Sequence, residues 1–289
     1  NQKLYGGAVM KTKNPMQLKA FIKKQAEEKH ISAQLVMQNY MLERLLERIS
    51  VSRYKNNFIL KGGFLISAIV GLDTRTTMDL DTTIKGFDLS HDSIEDIFTE
   101  ICSIEIDDDI KFILDRTEDI REGDDYPGIR VYLFGEYPPI CTAITVDVTT
   151  GDKITPKEIE YKFSCLFDNK EISIMAYNLE TVLAEKLETI LSRGTANTRP
   201  RDFYDVFILY QLRWYQVDKT ILKNAFESTV EKRGSQWIIA ENEAVFRDVK
   251  ESDELKHRWA KYSKKYEYAN GISYLDIMET LRRIMMVLN

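Results

Sequence analysis

Two carboxylates separated by one residue are the first candidates for chemistry in this 289-residue sequence. Asp79 and Asp81 flank Leu80. Residues i and i+2 of a β-strand point to the same face, so the two carboxylates would lie side by side while Leu80 enters the core. Like charges at this distance repel each other, and a hard divalent cation shared with substrate phosphates relieves that repulsion. The spacing therefore predicts a strand that holds Mg²⁺ or Mn²⁺.

A glycine pair precedes these carboxylates. Lys61, Gly62 and Gly63 end one short apolar run, and a second apolar run begins at Phe64. Glycine allows the backbone to approach a ligand closely, and N–H groups at the start of a helix bind phosphate. We therefore predict a phosphate-binding turn here. The alternative is an ordinary tight turn followed by two solvated aspartates on the surface.

A third carboxylate lies at the centre of a predicted strand. Apolar and polar side chains alternate over residues 143–149, as in a half-buried strand, and Asp147 falls on the polar face. Aspartate has a low β-propensity, so its position needs a reason. One reason is a structural hydrogen bond from a threonine hydroxyl. The other is a carboxylate that joins Asp79 and Asp81 in a two-metal or metal-plus-base site.

The second half of the chain adds basic groups. Asn178 is a good N-cap for an amphipathic helix that ends near Gly194 and carries Lys186. By spacing alone, Lys186 is an ordinary helix-surface charge, and Glu188 lies on a different face of that helix. The next helix begins with the sequence Arg199-Pro200-Arg201-Asp202. Two arginines at such a junction predict a phosphate clamp.

These groups need a sheet and helices to position them, and the hydrophobic periodicity indicates both. Further predicted strands cover residues 58–60, 110–114, 128–134, 159–165 and 172–176. Predicted helices cover residues 15–50 (as two or three helices), 93–104, 178–194, 203–215, 218–232, 241–268 and 274–288. This order predicts an α/β (α+β) protein, with a mixed β-sheet flanked by helices and a helical C-terminal half.

The same order predicts two domains. We place the first at residues 10–177 and the second, which completes the active site, at residues 178–289. Residues 1–9 are interpreted as a remnant that precedes a natural start at Met10.

Composition and charge narrow the class of protein. No apolar stretch reaches about 18 residues, which predicts no membrane span. The three cysteines are too scattered for a disulfide framework or a zinc site, which indicates the cytoplasm. Fifteen acidic and three basic residues lie between Asp88 and Asp125, a local net charge of −12, so the rest of the chain carries +6. The acidic segment is either a solvated face or a sign that basic surface elsewhere binds a phosphate-rich partner.

Four separated blocks between residues 61 and 205 together resemble the AbiEii/AbiGii family of nucleotidyltransferase toxins. The blocks are Lys61-Gly62-Gly63 with Arg75, Thr76, Asp79 and Asp81; Thr145 to Thr149; Leu183 to Leu187; and Arg199 to Asp205. The sequence departs from the family pattern at Thr145 and Arg201, where that pattern has lysine. Arg201 retains the positive charge, whereas Thr145 cannot make the nucleotide contact that is expected of a lysine at that position.

The resemblance implies a metal-dependent nucleotidyltransferase with a nucleotidyltransferase-type sheet. It implies catalytic roles for Asp79, Asp81, Asp147, Lys186 and Asp202, and the first three would also hold Mg²⁺ or Mn²⁺. It further implies that a nucleoside triphosphate is bound by Lys61, Gly62, Gly63, Arg75, Thr76, Arg199 and Arg201.

The resemblance also implies partners. Some members of this family add nucleotides to the 3′ end of tRNA, and their genes lie beside one for a DNA-binding antitoxin. We therefore expect a cytoplasmic toxin of abortive phage infection that acts on an RNA acceptor. The alternatives are transfer to a protein or small-molecule hydroxyl, and a non-catalytic nucleotide-sensing module. The three carboxylates favour an enzyme, since a binding module does not need them.

Overall fold

The computed structural model describes residues 14–120, 128–167 and 169–288. The described residues form two compact units, one within residues 14–151 and 159–176 and the other within residues 152–158 and 177–288. Residues 1–9, interpreted above as a remnant, lie outside the described residues. No described helix is long and apolar enough to cross a membrane.

The described part of the first unit contains a seven-stranded mixed sheet. Its strands are β1 Phe58–Lys61, β2 Asp79–Ile84, β3 Lys111–Asp119, β4 Gly128–Tyr137, β5 Ile140–Thr150, β6 Ile159–Ser164 and β7 Glu171–Ala176. Their order across the sheet is β3-β4-β5-β2-β1-β7-β6. The pairs β2/β5 and β1/β7 are parallel, and all other neighbours are antiparallel. The predicted mixed sheet is therefore confirmed.

Hydrophobic alternation determines which face of the central strands is buried. In β5, Val146 and Val148 are 0% exposed, whereas Asp147 between them is partly exposed. In β2, Leu80 is likewise 0% exposed between two aspartates. Both strands thus present apolar side chains to the core and polar side chains to the other face.

The described part of the sheet unit also contains four helices: α1 Pro15–Lys29, α2 Ala33–Val51, α3 Gly62–Val70 and α4 His91–Ser103. α2 packs against β5 and β7, and α4 packs against β3. On α2, Arg48 is 1% exposed and donates to both carboxylate oxygens of Asp108, at 2.8 and 2.9 Å. The acidic segment is therefore more than a solvated face, because one of its carboxylates is a buried structural group.

The second unit is helical, as predicted. Its α-helices are α5 Leu179–Arg193, α6 Pro200–Arg213, α7 Lys219–Arg233, α8 Trp237–Glu251, α9 Asp253–Lys265 and α10 Tyr274–Leu288. Asn178 caps α5 as predicted, since its side chain accepts a hydrogen bond from the Thr181 N–H. The single helix predicted over residues 241–268 is wrong. Ser252 has extended backbone angles, and its hydroxyl accepts from the Leu255 N–H, so α8 ends and α9 begins at this residue.

Candidate active site

A row of charged side chains crosses four neighbouring strands of the sheet. Lys61 on β1 is paired with Asp81 on β2, Asp81 with Asp147 on β5, and Asp147 with Arg130 on β4. Residues paired across neighbouring strands project from the same face. The charges therefore run positive, negative, negative, positive, and each outer cation adjoins one carboxylate. We call these four residues the charged row.

Asp81 is the carboxylate that contacts the glycine pair. The Gly63 N–H donates to Asp81 Oδ2 at 3.0 Å. Gly62 has a φ of +61°, and a Cβ at this position would collide with the Asp81 carboxylate. Only glycine allows the backbone to adopt this angle and to come so close. The glycine pair therefore begins α3, and the first turn of that helix lies against Asp81.

The pKa of Asp81 lies above its usual range. Burial is the largest cause, and the charges of Asp147 and, less strongly, Asp79 act in the same direction. The Gly63 N–H and the Lys61 ammonium oppose the rise. A positive charge brought beside Asp81 would relieve a repulsion that these two groups do not fully offset.

Asp79 is the most accessible of the three predicted carboxylates. Asp79 is an exposed residue at the start of β2, and its Oδ1 accepts a hydrogen bond of 2.5 Å from Thr145 Oγ1. Thr145, one of the positions at which the sequence departs from the pattern that it resembles, thus places a neutral hydroxyl beside Asp79.

The three carboxylates fit a divalent cation unequally. Asp79 and Asp81 offer oxygens on one face of β2, the ligands that Mg²⁺ and Mn²⁺ prefer. Both oxygens of Asp147 instead accept hydrogen bonds of 2.7 Å from Arg130, one from Nε and one from Nη2. Within residues 14–120, 128–167 and 169–288, no group of three or more His, Cys, Asp or Glu side chains is arranged to hold a metal ion. Asp79 and Asp81 are the pair that fits best, and Asp147 as a metal ligand stays a prediction.

The other predicted nucleotide-binding residues of this unit are engaged within the protein. Lys61 Nζ donates to Thr149 Oγ1 at 2.6 Å. Arg75 is 2% exposed and donates to the Thr76 carbonyl oxygen at 2.8 Å. The Arg75 guanidinium also lies so close to Gly63 that a Cβ there would be 2.7 Å from Nη1. Arg75 therefore supports the glycine turn from inside the unit.

Lys186 is the centre of a second cluster, in the helical unit. Its Nζ lies 2.6 Å from Oδ1 of Asp202 and 2.9 Å from Oδ2 of Asp205. The two aspartates lie three residues apart on α6 and so face the same side of that helix. The Lys186 side chain is 19% exposed, Asp202 8% and Asp205 0%. Lys186 is thus a largely buried ion-pair partner rather than the solvated charge that its spacing alone suggests.

Asp202 has one carboxylate oxygen in use and one spare. Oδ2 is buried and accepts no hydrogen bond from the described residues, whereas Oδ1 binds Lys186. A buried acceptor without a donor costs free energy, so it is an expected contact point for a donor group on a substrate. Asp202 can therefore hold Lys186 in place and offer a second oxygen at the same time.

Arg199 and Arg201 lie at the start of α6. Arg199 is exposed, and its backbone N–H donates to Asn197 Oδ1 at 2.7 Å. The Arg201 guanidinium lies 6.0 Å from the ring centroid of Tyr266, and Lys265 Nζ lies 5.2 Å from the same centroid. Arg201 thus lies beside an aromatic ring, and the phosphate clamp formed by the two arginines stays a prediction.

Tyr266 joins a group of aromatic and basic side chains. Its ring stacks on Tyr268 with a centroid separation of 5.3 Å. Burial raises the pKa of Tyr266, but hydrogen bonds and charges from Arg201 and Lys265 outweigh burial, so the pKa is lowered. We call Arg201, Lys265, Tyr266 and Tyr268 the Tyr266 cluster.

Three charged residues acquire roles that the sequence patterns did not give them. Asp205 lies one helical turn after Asp202, so its helical spacing was a usable signal. Arg130 alternates with buried residues in β4, which placed it on the polar face but did not show its partner. Glu188, expected on a face without a role, is 3% exposed and accepts hydrogen bonds from Arg233 and Ser235.

Comparison with known protein families covers the region that contains all four blocks. Residues 44–280 match the profile of the family described as nucleotidyl transferase AbiEii toxin, type IV TA system. The chain belongs to the AbiEii family. Membership in this toxin–antitoxin family implies an antitoxin partner.

Solved structures similar to this AbiEii-family chain are distant. A Helicobacter pylori protein described provisionally as a nucleotidyltransferase is 16% identical, with a TM-score of 0.48 over 89% of this chain and 97% of its own. JHP933 from Helicobacter pylori has the same identity, TM-score and share of this chain, over 94% of its own. An antigenic nucleotidyltransferase-like protein from Paracoccidioides brasiliensis is 16% identical, with a TM-score of 0.35 over 70% of this chain and 92% of its own. The search of curated proteins gave no match, so the AbiEii assignment rests on the family match.

Proposed function

We propose that this AbiEii-family protein transfers a nucleotide from a nucleoside triphosphate to an RNA acceptor, the 3′ end of tRNA, in a reaction that needs Mg²⁺ or Mn²⁺. The observation that carries this proposal is the position of Asp79 and Asp81. They project from one face of β2, and Asp81 lies against the first turn of α3. Two adjacent carboxylates beside a glycine-initiated helix N-terminus suit a cation and a polyphosphate together.

Different residues of the sheet unit bind the cation, bind the phosphates and support the glycine turn. Asp79 and Asp81 hold the cation, and charge neutralisation at the α-phosphate is the chemistry that it supplies when bound. The first turn of α3 and the Lys61 ammonium bind phosphate oxygens. Arg75 and Thr76 keep the glycine turn in the conformation that exposes those N–H groups. Asp147 would activate the acceptor hydroxyl or bind a second cation.

The residues of the helical unit act on the nucleotide and the acceptor. Lys186 binds the triphosphate, and Asp202 and Asp205 hold its ammonium in place with ion pairs of 2.6 and 2.9 Å. The spare oxygen of Asp202 accepts a donor from the substrate. Exposed Arg199 adds a phosphate contact at the start of α6.

An RNA acceptor is supported by the Tyr266 cluster. Single-stranded RNA is bound by stacking of bases on aromatic side chains and by cations that contact phosphates. Arg201 and Lys265 lie beside the partly exposed ring of Tyr266, which provides both kinds of contact. Arg193, Arg199, Lys261 and Lys264 are further candidate phosphate contacts. Binding of a protein or small-molecule acceptor does not require this combination of aromatic rings and cationic side chains.

The cellular role follows from the family. We propose that transfer to tRNA arrests growth during abortive phage infection in the cytoplasm, and that a DNA-binding antitoxin encoded nearby restrains it. The support for this part is the type IV toxin–antitoxin family match.

The reaction is tested by following the α-phosphate. The purified protein is incubated with each α-³²P-labelled nucleoside triphosphate, Mg²⁺ and total RNA, and pyrophosphate release is measured alongside label in the RNA, protein and small-molecule fractions. The proposal predicts pyrophosphate release with label in RNA of tRNA size. Label in protein or in a small molecule would show that the acceptor is a protein or small-molecule hydroxyl and not RNA. Nucleotide binding without any pyrophosphate release would identify a sensing module instead.

A further inference from the structure

We propose that Arg130 is a positioning residue of the charged row: it holds Asp147 as an internal ion pair, so that the divalent cation is held by Asp79 and Asp81 without Asp147. This inference rests on the proposed function, since it concerns the same cation. It assigns a role to a residue outside the four family blocks and removes one of the three predicted metal ligands.

The geometry of the pair supports this role. Arg130 and Asp147 are directly paired residues of the antiparallel strands β4 and β5. Arg130 Nε and Nη2 donate to the two different oxygens of Asp147, each at 2.7 Å. A two-point contact fixes both the position and the plane of a carboxylate, which lysine cannot do. Both Asp147 oxygens are therefore already engaged by a cation of the protein itself, which reduces what a metal ion would gain by binding this carboxylate.

The charge balance of the row supports it as well. Arginine remains charged at every pH that a folded protein tolerates. The Asp147 and Asp79 carboxylates both interact electrostatically with Arg130, and the hydrogen bonds to Asp147 are the largest influence on its guanidinium. Lys61 opposes the raised pKa of Asp81 from the other end of the row. Each outer cation thus acts on the carboxylate beside it, and Asp79, outside the row, interacts with Arg130 less strongly than Asp147 does.

Thr145 lies beside the same carboxylates but carries no charge. Thr145 and Asp147 lie on the same face of β5. Thr145 contributes a hydroxyl, which donates to Asp79. The positive charge beside Asp147 comes instead from Arg130 on the neighbouring strand β4. A lysine introduced at position 145 should therefore replace part of what Arg130 does.

The experiment measures Mn²⁺ affinity of the folded protein, by the electron paramagnetic resonance signal of free Mn²⁺, and Mn²⁺-induced stabilisation in thermal unfolding. The variants are Asp81→Asn, Arg130→Gln, the double variant Arg130→Gln/Asp147→Asn, and Arg130→Gln/Thr145→Lys. The double variant removes the ion pair without changing the net charge of the row, so it separates ligation by Asp147 from simple electrostatics.

The proposal predicts a different result for each of the four variants. Asp81→Asn weakens Mn²⁺ binding by at least about tenfold, because a ligand is lost. Arg130→Gln/Asp147→Asn keeps Mn²⁺ affinity within about threefold of wild type, because the net charge of the row is conserved. Arg130→Gln alone lowers the metal-free Tm and tightens Mn²⁺ binding by roughly three- to tenfold, because Asp147 and its charge are released. Thr145→Lys, added to Arg130→Gln, returns both values toward wild type.

Two results would overturn the proposal in distinguishable ways. If wild type binds Mn²⁺ but Arg130→Gln/Asp147→Asn loses as much affinity as Asp81→Asn, then Asp147 is a ligand and only this inference fails. If wild type binds no Mn²⁺ at millimolar concentration, the cation site and the proposed function fail together.

Discussion

Lys186 Nζ lies 2.6 Å from Oδ1 of Asp202, and the other oxygen of the same carboxylate has no donor among the described residues. Asp205 completes the environment of the ammonium from one turn further along α6, at 2.9 Å. The Lys186 ammonium thus interacts with two buried carboxylates of α6, and one of them has an unused acceptor. That acceptor is an expected contact point for a donor group on a substrate.

We expect Lys186→Ala to lower nucleotide transfer by about 10²–10³-fold, the usual effect of losing one group that stabilises charge in the transition state. It should also lower stability, because the two buried carboxylates Asp202 and Asp205 would both lose their ion pair with the ammonium. Lys186→Arg retains the charge and separates the two effects. The measurements are steady-state kinetics and thermal unfolding.

The matched control for Lys186 is Lys219→Ala, which removes an exposed lysine at the start of α7. Glu188 is unsuitable as a control, although it is only two residues away, because Arg233 and Ser235 bind its buried carboxylate. Equal and small effects of Lys186→Ala and Lys219→Ala on transfer would show that Lys186 has no part in binding the triphosphate.

Asp81→Asn should raise the Tm of the metal-free protein at pH 7. The folded-state pKa of Asp81 is raised, chiefly by burial and by Asp147, so its charged form is disfavoured in the folded state. The corresponding stability is fully present below the unfolded pKa of about 4 and is lost as the pH rises through the folded pKa. The Tm advantage of Asp81→Asn should therefore be large at pH 7 and vanish near pH 4.

The measurement for Asp81 is thermal unfolding in a chelator from pH 4 to pH 8. Asn keeps the acceptor for the Gly63 N–H, so the variant removes charge with little change of shape. An unchanged or lower Tm at pH 7 would show that the charge of Asp81 is already offset within the protein.

Asp108→Ala should destabilise the sheet unit by about 3–5 kcal/mol, because it leaves the buried Arg48 guanidinium without its carboxylate. Asp96→Ala, at an exposed position of α4 in the same acidic segment, should change stability by no more than about 0.5 kcal/mol. Urea unfolding of both variants provides the comparison. Similar values for the two would mean that the Arg48–Asp108 pair contributes nothing to the fold.

Charge reversal at Lys264 and Lys265 should weaken RNA binding and reduce its salt dependence. For single-stranded RNA, removing one interaction between a cationic side chain and a phosphate lowers the slope of log K against log salt by about 0.7. Nucleotide affinity should stay unchanged. The control is Lys219→Glu/Lys232→Glu, which makes the same change in charge at exposed positions of α7. If both double variants behave alike, the effect is one of net charge and the Tyr266 cluster does not bind RNA.

Local periodicity was enough to predict the polar faces of the sheet. Alternation in β5 put Asp147 on the exposed face, and the Asp79-Leu80-Asp81 triplet did the same for β2. What periodicity could not give was the neighbour of each strand and its register. The Arg130–Asp147 pair depends on the register of the β4–β5 hairpin, and a shift of one residue would place Arg130 on the other face.

Helical spacing likewise predicted some features of the second unit and missed others. The N-cap at Asn178 and the apolar face of α5 follow from local rules. The break at Ser252 was also local, but an apolar pattern continues across it and concealed it. The burial of Lys186 and Asp108 depends on packing between elements, to which no local pattern is sensitive.

The central claim is cation-dependent transfer of a nucleotide to RNA, and one measurement tests it most directly. Incorporation of α-³²P label into total RNA is compared for wild type and Asp81→Asn, with Mg²⁺ and with a chelator. The account predicts label in RNA for wild type in Mg²⁺ without the chelator. Nearly all of this label should be lost in the chelator and in Asp81→Asn. Equal labelling by wild type and Asp81→Asn, or no label in RNA with any of the four nucleoside triphosphates, would contradict it.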